Sequence, residues 1–160
     1  MTRLAIVLLV VLGLLGGCSS LSPFSTLTKL DLTLAASEEV NPDLHGRPSP
    51  VVVQLFELKH PVAFEHADFF TLYEHAEQAL PKDWVSSEEL ELRPGEQVAL
   101  KLRNEPQSRY VGIIAAYRDL PNVQWRWVLP LMPQQVTRAY LVLDQSGIRA
   151  ADPLASLVEN

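Results

Sequence analysis

Two hydrophobic regimes divide the chain. The first is a continuous apolar run, Leu4 to Leu15, headed by Arg3 and closed by Gly16, Gly17 and Cys18. From Lys29 onward the dominant period is two. Leu30, Leu32 and Leu34 alternate with Asp31 and Thr33, which is what a strand with one buried face requires, so residues 28–36 are the first predicted strand. Val51 to Leu58 (VVVQLFEL) is rich in β-branched and aromatic residues and is the second. Val85 to Leu92 and Val98 to Arg103 read as a third and fourth, joined as a hairpin by Arg93-Pro94-Gly95-Glu96, with Pro and Gly where a type II turn requires them. Arg109 to Tyr117 is apolar on both faces, the pattern of a central strand. Trp125, Trp127 and Leu129 alternate with Gln124, Arg126 and Val128 until Pro130 and Pro133 close the sixth strand. Thr137 to Leu143 is the seventh, and the turn Asp144 to Gly147 leads into a short edge strand at 148–150. Eight short strands predict a two-sheet β-sandwich over residues 30–150.

One segment departs from that period. Phe64, Ala67, Phe69, Leu72, Tyr73, Ala76 and Leu80 recur at helical spacing, Asp68 stands where an N-cap belongs, and Pro81 ends the run. A helical insertion over about residues 62–80 is expected between the second and third strands, its aromatic face packed on one sheet. The tail over 151–160 has no period.

The opening run changes the picture of where the protein works. A cationic start, an apolar stretch and small residues before a cysteine form a lipoprotein signal peptide over residues 1–17, with Cys18 as the lipidated first residue. A membrane-spanning helix needs ~20 apolar residues, and this run ends sooner. Diacylglycerol on the Cys18 thiol and an acyl group on its new amine give the two-signal anchoring that holds stably. The segment resembles bacterial lipoproteins in which Asp after the cysteine favours retention at the inner membrane. Ser19 therefore implies export to the outer membrane, periplasmic face. Residues 18–29, with Pro23 among serines and threonines, read as a flexible tether.

Cysteine and charge narrow the partners. The chain of 160 residues has one Cys, so the sandwich is expected to have no disulfide. Loss of residues 1–17 takes one positive charge from a formal net charge of -6. An acidic balance with no Lys/Arg cluster argues against nucleic acid and against electrostatic docking on anionic lipid, so the membrane contact is expected to rest on the acyl chains.

Candidate chemistry is sparse. No Gly-rich phosphate loop, no Cys/His metal spacing and no G-x-S-x-G elbow occurs. His66 and His75 would fall on opposite sides of one continuous helix, and His45 and His60 are not spaced to join them. In a strand Glu89 and Glu91 share a face and Glu88 points away, a solvated face before a carboxylate pair. Ser86 and Ser87 have no base at fixed spacing. Trp125 and Trp127 on one face could stack a sugar, but period-two aromatics in a sandwich are core first. Arg118-Asp119 reads as a structural pair or turn. No catalytic residue and no metal or organic cofactor is therefore expected beyond the lipid on Cys18.

The connection Ser37 to Pro50 outranks these candidates. It is fourteen residues long where a sandwich hairpin uses two to five, and its three prolines and one glycine describe a stiffened, projecting loop. A connection this long is either functional or a passive insertion, and if it is functional Asn41, Pro42, Asp43, Leu44, His45, Gly46, Arg47 and Pro48 are the candidate binding residues. Leu44 and Arg47 lead them, as an apolar anchor and an arginine.

Taken in order, several segments resemble the outer-membrane lipoproteins of type VI secretion systems, the TssJ or SciN family. They are the lipobox, the run from Asn41-Pro42 through Gly46-Arg47-Pro48-Ser49-Pro50 into Val51 to Leu58, then Phe64 and Ala67 to Tyr73, Leu92 to Glu96, Tyr110 to Leu120, and Trp125-Arg126. The resemblance implies a transthyretin-like β-sandwich with an added helix, no enzymatic activity, and a structural role. It also implies a partner, the periplasmic C-terminal domain of the inner-membrane IcmF-like protein (TssM), contacted through the loop at Ser37 to Pro50. The alternative of a different class is a lipid-anchored sandwich that binds a small ligand or carbohydrate through an aromatic cleft. The placement of Trp125 and Trp127 separates the two.

Overall fold

The computed structural model describes residues 27–151; the leader, Cys18, Ser19, most of the tether and the tail beyond Ala151 lie outside the described residues. The elements are β1 (Thr28–Ala36), β2 (Val51–Leu58), α1 (Val62–His66), α2 (Phe69–Ala79), β3 (Trp84–Leu92), β4 (Gln97–Asn104), β5 (Tyr110–Ala115), a 3-10 turn at Leu120–Asn122, β6 (Arg126–Pro130), β7 (Val136–Asp144) and β8 (Gly147–Ala150). They build two four-stranded sheets in the orders β4-β1-β7-β8 and β3-β2-β5-β6. All neighbours are antiparallel except β1 and β7, which run parallel in register from Lys29 opposite Val136 to Ala36 opposite Leu143.

Alternation along the strands assembles the core between the sheets. Leu30, Leu32 and Leu34 of β1 meet Val51, Val53 and Leu55 of β2, Val111 and Ile113 of β5, and Leu141 and Leu143 of β7, all buried. A second core forms on the far side of the β2–β5 sheet. There Phe56, Leu58 and Ile114 point outward and are covered by Phe64 of α1 and by Phe69 and Leu72 of α2. This covering is why Leu55 and Phe56, adjacent in sequence, are both buried. The sheet with β3-β2-β5-β6 is thus covered on both faces, and β5 is a central strand as its two-sided apolar pattern predicts. Gly112 lets the helix seat closely: a Cβ there would stand 2.6 Å from the Phe64 ring.

Four sequence expectations are corrected. The Arg93–Glu96 turn forms, with Glu96 N donating to Arg93 O at 2.9 Å and Gly95 at φ 75°. It does not close a hairpin, because β3 lies in one sheet and β4 in the other. Turn chemistry sets four residues, whereas strand partners are chosen by burial far away in sequence: Leu90 and Leu92 go to β2, and Val98 and Leu100 go to β1. The helical insertion is two helices. Asp68 adopts an extended backbone (φ -76°, ψ 160°) and caps α2 by accepting from Thr71 N at 3.0 Å, which breaks the helix between His66 and Phe69. The fifth strand stops at Ala115: Ala116 N still donates to Val52 O on β2, but Tyr117 N folds back on Ala115 O at 2.9 Å, and this tight turn ends the extended backbone. The tryptophans are only partly buried, and Trp125 precedes β6 rather than lying in it.

Candidate functional site

The connection 37–50 leaves β1 at the end of the sandwich opposite the one where the described chain begins. Its base is fixed from inside. Val40 is fully buried and Asn41 and Ser49 are nearly so, and Ser49 N donates to Val40 O at 3.1 Å. Asn41 takes a left-handed backbone (φ 49°), a conformation Asn tolerates. Its amide nitrogen donates to Pro50 O and its amide oxygen accepts from Arg118 N, each at 2.8 Å. One side chain therefore closes the two ends of the loop on each other and ties them to the segment after β5.

The tip is a separate turn organised by Asp43. Asp43 Oδ1 accepts from His45 N at 2.8 Å and from Arg47 N at 3.0 Å, and Oδ2 accepts from Arg47 Nε at 2.7 Å. The backbone closes the same ring, with Asp43 N donating to Arg47 O and Gly46 N to Asp43 O, each at 2.9 Å, and Gly46 at φ 76°. The backbone hydrogen bond from Arg47 is the largest influence on the Asp43 carboxyl and holds its pKa below the ordinary value, with the Arg47 side chain and Arg118 acting in the same direction. Arg47 is thus engaged within the loop, by a 2.7 Å ion pair to Asp43 as well. Leu44 is 102% exposed, the most exposed large apolar side chain of the described residues. Pro42, Asp43, Leu44 and His45 wall an open groove of about 570 Å3 whose other side is Arg118 and Asp119.

Arg118 and Asp119 are the residues that sequence reasoning missed as part of this region. They form no ion pair with each other among the contacts of the described residues. Arg118 N holds Asn41, and Asp119 accepts from Asn122 Nδ2 at 2.8 Å. No local signal could have found them, because the bond that joins Arg118 to the loop spans 77 positions.

The other candidates are scattered. His66 ends α1 with Nδ1 2.8 Å from Val62 O, and His75 sits in α2 beside Glu74. Glu89 accepts from Gln54 Nε2 at 2.8 Å on the outer face of its sheet, while Glu88 stands opposite Leu55 on the other face. Trp125 packs edge-on against Phe69 at 5.3 Å, with the Arg126 guanidinium 4.3 Å above its ring. Arg126 Nη1 also donates to the carbonyls of Phe64 and Ala67, so this pair fastens the helices to the sandwich. Trp127 lines a groove of about 480 Å3 with Leu129 and Leu141, and Trp125 is not among its walls. The two indoles do not share a cleft.

Fold and site together define a small β-sandwich module that presents one braced, apolar-tipped loop. The comparisons with known proteins say which. Residues 28–147 match the family described as type VI secretion lipoprotein (T6SS-SciN; VasD, EvfM, TssJ). The T6SS lipoprotein TssJ1 from Pseudomonas aeruginosa is 35% identical, with a TM-score of 0.75 over 79% of this chain and 98% of that one. Lip of Serratia marcescens, a membrane-bound component of the type VI secretion system, is 27% identical, with a TM-score of 0.73 over 79% and 98%. A chain of a type VI membrane complex is 25% identical, with a TM-score of 0.69 over 79% and 99%. Among curated proteins no relative matches. The chain belongs to the type VI secretion lipoprotein family, structural and non-enzymatic components of that system's membrane complex.

Proposed function

We propose that this lipoprotein is held on the periplasmic face of the outer membrane by acyl chains on Cys18, exported there because Ser19 is not an Asp. Its 37–50 loop then engages the periplasmic C-terminal domain of the inner-membrane protein TssM, so that the sandwich links the two membranes. The observation that carries the reading is the construction of the loop: Asn41 closes its base, Asp43 closes its tip, and Leu44 is left fully in water. An apolar side chain held out on a stiff support gains from burial without a large ordering cost. A neighbour adds support: a chain 25% identical, with a TM-score of 0.65 over 78% of this chain and 98% of its own, occurs in a structure of the T6SS protein TssM C-terminal domain from EAEC.

Anchoring and docking are tested separately. Labelled palmitate should enter the wild-type protein and not Cys18→Ser, and Ser19→Asp should shift the protein to the inner-membrane fraction. Label in the Cys18→Ser protein refutes the anchor. For docking, titration of the TssM C-terminal domain should give a Kd at least tenfold weaker for Leu44→Asp, or about 1.4 kcal/mol. Unchanged affinity in a folded Leu44→Asp protein removes this loop as the contact.

A further inference from the structure

The chain is acidic, and its sequence contains no basic run, yet strand register makes one. The sheet β4-β1-β7-β8 turns Leu30, Leu32, Leu100, Leu102, Ala139 and Leu141 inward, so the residues between them form its outer face. On that face the pairings place Lys29 between Arg103 and Val136, and Asp31 between Lys101 and Arg138. Four cations and one acid thus occupy the two rungs nearest the start of β1. Arg138 lies 3.9 Å from Asp31, which leaves Lys29, Lys101 and Arg103 with no carboxylate within ion-pair distance among the described residues. Among the described residues no helix covers this face, since α1 and α2 pack on the other sheet. The outer face of that other sheet is covered by the helices and shows Glu89 and Glu91 at its β3 edge. The next two rungs of the basic face are uncharged, Thr33 with Ala99 and Tyr140, and Ala35 with Gln97 and Val142.

The same end carries an apolar rim. Leu27, Met132 and Val136 are exposed around the start of β1 and the β6–β7 connection. Lys29 N donates to Gln135 O, and Gln134 N to Thr28 Oγ1, so rim and strand start are held together. From this end about ten residues of sequence lead back to Cys18, a length that random-coil scaling converts to roughly 17 Å. We infer that the basic end of this sheet, with its apolar rim, rests on the anionic phospholipid headgroups of the membrane that holds the acyl chains.

The inference rests on the anchoring proposed above and adds an orientation to it. Exposed charges act over a Debye length of ~8 Å at physiological salt, and a tether this short keeps the face near the surface at high effective concentration. A few cations are then enough to choose which face meets the lipid, although they could not hold a free acidic protein there. The loop lies at the far end of strands about 30 Å long, so this orientation points Leu44 away from the membrane.

The test uses the acylated protein reconstituted in phosphatidylethanolamine vesicles with phosphatidylglycerol, and in vesicles of phosphatidylcholine alone. Acetylation rates of single lysines are read by mass spectrometry. Lys29 and Lys101 should react several-fold more slowly on the phosphatidylglycerol vesicles than on phosphatidylcholine, and high salt should abolish the difference. Each rate is normalised to a free lysine peptide added to the same sample, because Lys59 and Lys82 lie at the same end of the sandwich as the basic face. The exposed reversal R103E/R138E should remove the protection of Lys29 while the protein still floats with the vesicles. Equal rates on both vesicle types, or protection that survives high salt and the reversal, overturn the orientation and leave the anchor standing. Protein that does not float with either vesicle overturns the anchor and this inference with it.

Discussion

Single residues decide how closely this sandwich can be built. Gly112 faces the Phe64 ring at a distance that admits no Cβ, and Phe64 is fully buried and cannot swing aside. Gly112→Ala should therefore lower stability by about 1 to 3 kcal/mol through overpacking. Phe64→Ala should cost about 3 to 5 kcal/mol by opening a cavity. Thermal melts of both variants check the pair, and an unchanged Gly112→Ala melting temperature contradicts the packing of α1 on β5. At Asp43 the effect is on order in the loop. Its pKa is depressed in the folded chain below the ordinary 3.8, so the turn keeps its full contribution above that value and loses it only as pH falls through the lower folded value. Affinity for TssM should show no loss attributable to Asp43 between neutral pH and about pH 4. Asp43→Asn, which lacks the charge that Arg47 meets, should weaken binding across that range, and isothermal titration at several pH values measures both.

At the scale of elements, the loop is a two-part device with separable roles. Excising Pro42 to Pro48 while keeping Asn41 and Ser49 should leave the melting temperature nearly unchanged, because closure entropy varies by only ~0.6 kcal/mol per doubling of loop length. Binding should nevertheless be lost. Asn41→Ala should behave in the opposite way to that excision. It leaves Arg118 N and Pro50 O without their partner and removes a side chain suited to positive φ, lowering stability by about 1 to 3 kcal/mol. Melts and titrations on the two variants distinguish base from tip. The tryptophans are a seam rather than a core. Because Trp125 is only partly buried between Phe69 and Arg126, its truncation should cost less than a core value, about 2 kcal/mol, and should loosen the helices first. Hydrogen exchange in α1 and α2 reads that loss.

For the molecule as a whole, the stability of the domain resides in two apolar cores on either side of one sheet, and neither core contains a cysteine. The mature chain made without acylation should accordingly melt at the same temperature with and without reductant. A reductant-sensitive melt in freshly purified monomer would contradict a disulfide-free fold. The sandwich also gathers cations on the outer face of the β4-β1-β7-β8 sheet, although no stretch of sequence is itself basic.

What the sequence determined was local. Period two in β1, the β-branched run of β2, helical spacing from Phe64 to Leu80, the capping role of Asp68, the turn at Pro94-Gly95 and the improbable length of the 37–50 connection all follow from preferences expressed within a few residues of each other. The tertiary structure decided everything that needed a distant partner. It sent β3 and β4 to different sheets despite the tight turn between them, and joined Arg118 to Asn41. It also set Trp125 against Phe69 and gathered Lys29, Lys101, Arg103 and Arg138 from three strands onto one face. The reason is that alternation says which residues of a strand are buried but not which strand will bury them. That choice is made by long-range packing, and with it the register that places every outward-facing charge.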